Sequence, residues 1–353
     1  MSSTGKGDSS ADSNSSASPR DLTPDRWGAF GHAAFMAIWT ASVVSNLGTA
    51  VFDTASGWMI TSLNAHPLAV SLVQVAVSLP LFLFTLPAGA LADVIDPKRL
   101  LIVVELGIIV VAFVFAVLVT FDLAGTGSLL TTTFLLGAAG ALTSPAWAAI
   151  VPLLVPRQDL DSATAANSVG FNLSRAVGPA LGGAIVAAAG VASAFWVFAI
   201  SNFGIIAALL WWRPPQKSGH ALPAERLSSA LRNGLRYAAN SYDLRATLIR
   251  ALGFFPFGTA FWALLPLVAR TQISGGPQTY GILLGAIGAG AIVGSLALNW
   301  VKAKIGPDEA AAAGTVATAL ALVLFGLAHN FPTAICAGIV AGAAWTVVLS
   351  ILY

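Results

Sequence analysis

Long apolar runs separated by short polar turns make up most of the sequence from Phe30 onward. A helix that crosses the hydrocarbon layer of a bilayer needs about 20 mostly apolar residues. Runs of this length predict an all-α membrane protein with about ten spans. They begin near Phe30, Leu68, Leu100, Leu129, Ala165, Ala192, Ala246, Thr279, Ala310 and Thr333.

The composition supports a chain embedded in a lipid bilayer. Hydrophobic residues make up 57% of the sequence and charged residues only 9%, whereas soluble proteins are about a quarter charged. Lys and Arg are dispersed, and no basic run contains interleaved aromatic residues, so nucleic acid is not a predicted partner. The single cysteine, Cys336, can form no disulfide within the chain.

Two polar segments divide the chain into four predicted parts. Residues 1–27 are rich in Ser, Asp, Asn and Gly and predict a disordered cytoplasmic tail. Residues 28–212 hold six spans, residues 213–245 form a basic cytoplasmic linker, and residues 246–353 form an incomplete second bundle. The linker predicts an amphipathic helix on the inner leaflet, with a protein-docking helix as the alternative. Its apolar face would comprise Leu227, Leu231, Leu235, Ala238 and Tyr242.

Basic residues alternate between loops, which predicts the orientation of the chain. Cytoplasmic loops carry the excess of Lys and Arg, and here every second loop is basic, with Arg270 as the exception on the other side. The pattern predicts a protein of the inner (cytoplasmic) membrane with a cytoplasmic amino terminus. The loop cations include Lys98, Arg99, Arg157, Lys302 and Lys304.

Two short segments recur at similar positions in the two halves. Residues 48–52 (Gly-Thr-Ala-Val-Phe) resemble residues 258–262 (Gly-Thr-Ala-Phe-Trp), and residues 89–92 (Gly-Ala-Leu-Ala) resemble residues 294–297 (Gly-Ser-Leu-Ala). We therefore expect a duplicated half, arranged as parallel repeats about an axis along the membrane normal.

The turn after the second run carries a loop motif. Gly89, Asp93 and the pair Lys98 and Arg99 form a Gly-x-Leu-Ala-Asp pattern followed by two basic residues. It resembles the loop signature of the major facilitator superfamily. The resemblance implies two six-helix bundles, with about ten of twelve spans present in a C-terminally truncated chain. It also implies a cytoplasmic charge relay that locks one state of a transporter. Residues 96–97 (Asp-Pro) depart from the pattern, and this departure predicts that the relay is partly rewired.

The fifth run carries a second motif. Gly178 and Gly182 lie one helical turn apart, which permits close approach by a neighbouring helix, and Pro179 removes a helix hydrogen bond. The sequence Gly-Pro-x-x-Gly-Gly, which ends at Gly183, resembles the signature of exporting, proton-antiport branches of the superfamily. That resemblance implies a bent helix that seals the path against leak, and ordinary close packing is the alternative. With Asn172 and Arg175 ahead of it, the segment resembles bacterial transmembrane secretion effectors, which include enterobactin and macrolide exporters.

Three ionisable residues within predicted spans are candidates for proton coupling. Such residues are costly in a membrane and are therefore functional candidates. Asp53 is the first choice, because a carboxylate in a low-dielectric cavity can take up a proton near neutral pH and release it when the cavity opens elsewhere. A permanent structural pairing is its alternative. For Glu105 we favour a relay with Lys98 and Arg99 over contact with substrate, and Arg175 is either a counter-charge or part of a gate.

The remaining signals concern the substrate. Spacings of metal ligands, a catalytic histidine and a phosphate-binding loop are absent from the sequence, so we predict no enzymatic activity, no metal and no cofactor. Polar and aromatic residues in the spans predict a cavity for an amphipathic molecule, although lipid-facing positions are the alternative for the aromatic ones. These candidates are Asn46, Phe52, Trp147, Asn172 and Trp262.

Together these features predict a monomeric secondary transporter that exports an amphipathic small molecule, drug-like or siderophore-like, in exchange for protons. An importer of a small nutrient is one alternative. A membrane sensor or scaffold that keeps the fold without transport is the other.

Overall fold

The structure is a computed structural model that describes residues 28–214, 236 and 240–352. All regular elements of these residues are helical, and nine stretches are long and apolar enough to span a membrane. The predicted tail and most of the predicted linker helix lie outside the described residues. The first bundle contains α1 (Ala33–Leu63), α2 (Pro67–Val94), α3 (Pro97–Thr120), α4 (Thr126–Leu154), α5 (Leu160–Ala189), α6 (Val191–Ser201) and α7 (Phe203–Trp211).

The second bundle begins with a span in three pieces. These are α8 (Tyr242–Gly258), α9 (Ala260–Leu267) and a π-helical turn, Val268–Gln272. Proline cannot donate the hydrogen bond that a continuous helix requires, and Pro256 and Pro266 lie within this span. Three uninterrupted helices complete the described part of the bundle, and these are α10 (Pro277–Ile305), α11 (Pro307–Leu327) and α12 (Phe331–Leu352).

Helix α5 is the long helix that does not count among the nine apolar spans. Its 30 residues are more than enough to cross a bilayer, but it carries Asn167, Asn172 and Arg175 between its start and its middle. The helix packs along α1 on one side and α10 on the other. Helix α5 therefore lies at the seam between the bundles.

The turn between α2 and α3 is ordered by helix capping. The Asp96 carboxylate accepts a hydrogen bond from the Arg99 backbone N–H at 3.0 Å, and Pro97 occupies the first turn of α3. Asp is a favoured N-cap and Pro a favoured first helical residue. The departure at residues 96–97 therefore serves to start α3.

The two ends of the molecule differ, and we name them by their residues. The basic end carries Lys98, Arg99, Arg157 and Lys302, and the opposite end carries Ser62 and Arg270 together with Gly190. Helices α1, α3 and α5 run from the basic end to the opposite end, and α2, α4 and α10 run back.

The bundles meet tightly from mid-depth to the opposite end. A Cβ on Gly183 of α5 would lie 2.6 Å from the Pro277 carbonyl oxygen and 3.0 Å from Gly281 Cα, both on α10. Only helices with small residues at the contact can approach so closely, and in a membrane such packing supplies much of the association energy. Among the described residues, α4 packs extensively only against helices of its own bundle.

Candidate functional site

A cavity of about 630 Å³ lies inside the first bundle, between mid-depth and the basic end. Its walls come from all six spans of that bundle, and its size suits a drug-sized ligand. Aromatic and aliphatic side chains cover most of the wall. The aromatic members are Trp39, Phe52, Trp147, Phe171 and Phe198.

Two carboxylates and several uncharged polar groups interrupt the apolar wall. Asp53 and Glu105 are the acidic members, and Asn46 and Asn167 supply amides. Of the described residues that line the cavity, not one is Lys, Arg or His. The wall can therefore offer negative charge and hydrogen bonds, but no positive charge of its own.

Asp53 lies in the part of this cavity nearest mid-depth, where the first bundle meets the second. Its side chain is enclosed by protein yet exposed to the cavity space. Arg175 of α5 lies near enough for its charge to act on Asp53, although the described residues show no direct ion pair for this carboxylate. One helical turn further along α1, a Cβ on Gly57 would lie 2.5 Å from the Tyr280 hydroxyl oxygen of α10. Asp53 therefore lies about one turn from the contact between the two bundles.

Arg175 stands beside the cavity without lining it. Its guanidinium lies 5.7 Å from the ring centroid of Phe171, one helical turn earlier on α5, a distance at which an aromatic face attracts a cation. The guanidinium therefore places a positive charge near Asp53 at the seam.

Glu105 is the other carboxylate of the wall, and it is buried in α3 with 3% of its surface exposed. Its Oε2 atom is fully buried and has no hydrogen-bond partner among the described residues. The described residues contain no ion pair between Glu105 and Lys98 or Arg99, which the relay predicted for Glu105 would require. Glu105 lies seven positions after Lys98, which is about 10 Å along a helix. The Lys98 ammonium instead donates to the Trp212 carbonyl oxygen and lies over the Trp212 ring.

Comparison with known proteins identifies the family of this chain. The profile of the transmembrane secretion effector family matches residues 25–353. The chain belongs to this family. It is accordingly a secondary transporter of the major facilitator superfamily and a multi-pass membrane protein, as the two motifs and the apolar runs predicted.

Two curated relatives and one solved structure illustrate the similarity. The staphyloferrin A transporter of Staphylococcus aureus is 24% identical over 76% of this chain and 67% of its own length. The enterobactin exporter EntS of Citrobacter koseri is 27% identical over 84% of this chain and 70% of its own length. A bacterial homologue of the human lysosomal transporter Spinster, solved in an inward-facing and unoccupied conformation, superposes with a TM-score of 0.66. It shares 14% identity and covers 91% of this chain and 74% of its own, so it confirms the major facilitator fold alone.

The cavity of the first bundle contains only some of the residues predicted to contact substrate. Asn46, Phe52 and Trp147 line it. Asn172 lies off the cavity, and its amide donates to the Ser168 carbonyl oxygen at 2.8 Å. Trp262 lies in the second bundle, where its ring packs 5.3 Å from that of Phe261.

The helix-five motif of this family member faces two neighbours. A Cβ on Gly178 would meet Ala50 of α1, and one on Gly182 would meet Val51 and Thr54 of the same helix. Gly183 faces α10, and Pro179 lies within a helix that remains continuous. The motif thus packs α5 between the bundles, while its role as a seal stays a prediction.

The loop motif is only partly described. Gly89 is half-buried near the end of α2, Lys98 is tied to Trp212, and Arg99 is exposed. The side chain of Asp93 lies outside the described part of the chain, so the cytoplasmic charge relay of this loop remains a prediction.

Sequence reasoning missed a cluster that joins the bundles at the opposite end. Arg270 donates to Thr61 Oγ1 at 2.9 Å and to Ser62 Oγ at 2.7 Å, and its guanidinium lies 5.6 Å from the Trp58 ring centroid. Trp58 in turn stacks against Tyr280 at 6.5 Å. The one signal in the sequence was the isolated position of Arg270 in a loop otherwise nearly free of basic residues.

The described residues contain no group of three or more side chains able to hold a metal ion.

Proposed function

We propose that this chain exports an amphipathic small molecule, drug-like or siderophore-like, in exchange for protons by alternating access. The observation that carries the proposal is the position of Asp53. This carboxylate faces the cavity, lies near the cation of Arg175, and is one helical turn from Gly57, which packs against Tyr280 of the other bundle. A proton that binds there changes a charge at the seam on which the two bundles move.

The described conformation fits one half of such a cycle. The seam is closed at the opposite end through α5, α10 and Arg270, while the cavity lies on the side of the basic end. With the basic loops in the cytoplasm, as the distribution of Lys and Arg predicts, this is an inward-facing state of an inner-membrane protein. Substrate would enter the cavity from the cytoplasm or the inner leaflet.

The remaining predicted residues take roles in this cycle. Asp53 binds the proton, which changes the charge beside the seam, and Arg175 of the same bundle acts as its counter-charge. The helix-five motif, with Gly178, Pro179, Gly182 and Gly183, seals the seam at the opposite end. The loop motif at Gly89, Asp93, Lys98 and Arg99 closes the basic end in the other state, and the transporter works as a monomer.

The relatives support export of a small molecule. One is named an enterobactin exporter and another a staphyloferrin A transporter. Both names describe transport of a small molecule, and the first states its direction. We extend that direction to this chain because the cavity lies towards the basic end, where an exporter must load its substrate.

Transport in membrane vesicles of defined orientation tests the proposal. Inside-out vesicles that contain the protein, acidified internally, should accumulate the fluorescent amphiphile Hoechst 33342, and vesicles without the protein serve as the control. Accumulation should stop when the pH gradient is collapsed with an ionophore. Accumulation only in right-side-out vesicles would instead establish an importer, and movement of neither probe nor protons in either orientation would indicate a sensor or scaffold.

A further inference from the structure

Glu105 occupies a wall of the cavity that has no positive charge. It is 3% exposed, its Oε2 atom has no hydrogen-bond partner in the described residues, and it lines the cavity together with uncharged residues of α1 and α4. A buried carboxylate without a partner is costly, and proteins retain such a group where a ligand or a proton completes it.

Asp53 differs from Glu105 because it has a cation nearby. Arg175 lies close enough to Asp53 to interact with it electrostatically. A cationic ligand that approached Asp53 would therefore meet a positive charge as well as a negative one. At Glu105 it would meet the carboxylate alone, because the described residues of the cavity wall include no Lys, Arg or His.

The rest of the wall suits the apolar body of such a ligand. Trp39, Trp147 and Phe171 line the same cavity, and aromatic faces attract organic cations as well as apolar groups. The indole N–H of Trp39 is already used, since it donates to the Ala166 carbonyl oxygen at 2.9 Å. Its ring therefore serves as a fixed apolar surface.

We infer that Glu105 binds the positively charged group of a cationic amphiphile within the cavity, while the aromatic wall holds the apolar remainder. The inference rests on the proposed export of an amphipathic molecule and narrows it to the cationic class. It also differs from the expectation based on the sequence, which assigned Glu105 to a relay with the basic loop.

Three probes of similar size and different charge test this inference on the purified full chain in detergent. Tetraphenylphosphonium is a cation, tetraphenylborate is an anion of the same shape, and triphenylphosphine oxide is uncharged. We expect the wild-type protein to bind the phosphonium at least about tenfold more tightly than the borate, because a desolvated charge favours its opposite and disfavours its like. Quenching of tryptophan fluorescence can report the binding, since Trp39 and Trp147 line the cavity.

Substitution then assigns the preference to one residue. Glu105→Gln keeps the shape of the side chain and removes its charge, and it should weaken phosphonium binding about tenfold, or about 1.4 kcal/mol, while binding of the phosphine oxide is kept. Glu309→Gln, which removes an exposed carboxylate near the start of α11, is the matched control and should change neither. Should Glu105→Gln fail to fold, Glu105→Asp must weaken phosphonium binding selectively, since it retracts the charge by one methylene.

The outcomes separate the inference from the proposed function. Unchanged phosphonium binding in Glu105→Gln, or an equal affinity of the wild type for cation and anion, overturns the assignment of Glu105 and leaves export of an amphiphile standing. Equal losses for all three probes also overturn it, because they show that Glu105 shapes the cavity and does not select charge. The absence of saturable binding for every probe overturns the inference and the proposed function together.

Discussion

Two carboxylates in one cavity have contrasting surroundings, and this contrast underlies the two tasks that we propose for them. Asp53 is exposed to the cavity, lies near the cation of Arg175, and is one helical turn from Gly57, which packs against Tyr280 at the seam. Glu105 lies in the wall of one bundle, is buried, and has no partner for one of its oxygens in the described residues.

The difference teaches that position relative to the seam is as informative as residue type. The surroundings of a charge beside the seam change when the bundles move, so we expect its neutralisation to change the energy of that movement. A charge in the wall of one bundle moves with that bundle and changes only the affinity of the cavity. We therefore assign coupling to Asp53 and ligand charge selection to Glu105.

The largest expected effect comes from removing the carboxylate at the seam. Asp53→Asn should reduce proton movement driven by tetraphenylphosphonium to the level of protein-free liposomes, because the site of proton uptake is lost. A pH-sensitive dye inside proteoliposomes measures this movement. Raising the probe concentration should not restore it.

The wall carboxylate should behave differently in the same assay. Glu105→Gln should raise the phosphonium concentration that gives half-maximal proton movement, and a higher concentration should restore the rate. Asp308→Asn is a control at the molecular surface, where the carboxylate pairs with exposed Arg250. If Asp53→Asn and Glu105→Gln are both rescued by concentration, the division of tasks is wrong.

A smaller effect is expected from tightening the seam. Gly183→Ala places a methyl group 2.6 Å from the Pro277 carbonyl oxygen and 3.0 Å from Gly281 Cα, so α5 and α10 must separate. Overpacking typically costs about 1–3 kcal/mol, which corresponds to a shift of about 5-fold to 150-fold in the closed population at this end. Spin labels at Leu123→Cys and His329→Cys, with Cys336→Ser in the background, should report longer distances across the opposite end.

Gly107→Ala is the matched control for the seam. A Cβ at this position of α3 meets no atom within 4 Å, so the distance distribution should stay that of the parent protein. An unchanged distribution in Gly183→Ala would show that the close contact of α5 and α10 does not hold the opposite end closed.

The smallest effect is expected from the polar contact at the same end. Arg270→Gln removes the guanidinium that donates to Thr61 and Ser62 and lies over Trp58. Because Arg270 is exposed, we expect a loss of about 1 kcal/mol, or about fivefold in population, visible in the same label distances. Arg250→Gln breaks an exposed ion pair away from this end and should leave the distances unchanged, and an equal shift in both variants would remove Arg270 from the closure.

Much of the architecture could be predicted because it follows from the local sequence. Apolar runs of bilayer length can only be helices, since an isolated strand would leave its backbone groups unpaired in lipid. The polar start of α5 obscures its hydropathy, yet Gly178 and Gly182 indicated a close neighbour, and α1 is that neighbour. The placement of Asp53 in mid-span likewise predicted a carboxylate in a cavity, and Asp53 lines the cavity of the first bundle.

The sequence misdirected the interpretation of Glu105 because proximity along the chain was taken for proximity in space. Seven residues of helix carry a side chain about 10 Å along the axis, and the Lys98 ammonium finds its partner at Trp212, which is far away in sequence. For the same reason Tyr280 and Arg270 could not be assigned, since their contacts on α1 lie more than 200 residues away.

The sequence by itself determined which segments enter the membrane, where they turn, and which family they belong to, because these properties depend on local hydrophobicity, capping and short motifs. Tertiary packing alone decided which polar side chains share a cavity, which carboxylate acquires a cation, and which end of the seam is closed. Those outcomes depend on distances between helices that are remote in the chain, and in lipid such distances are fixed by small residues and interhelical contacts.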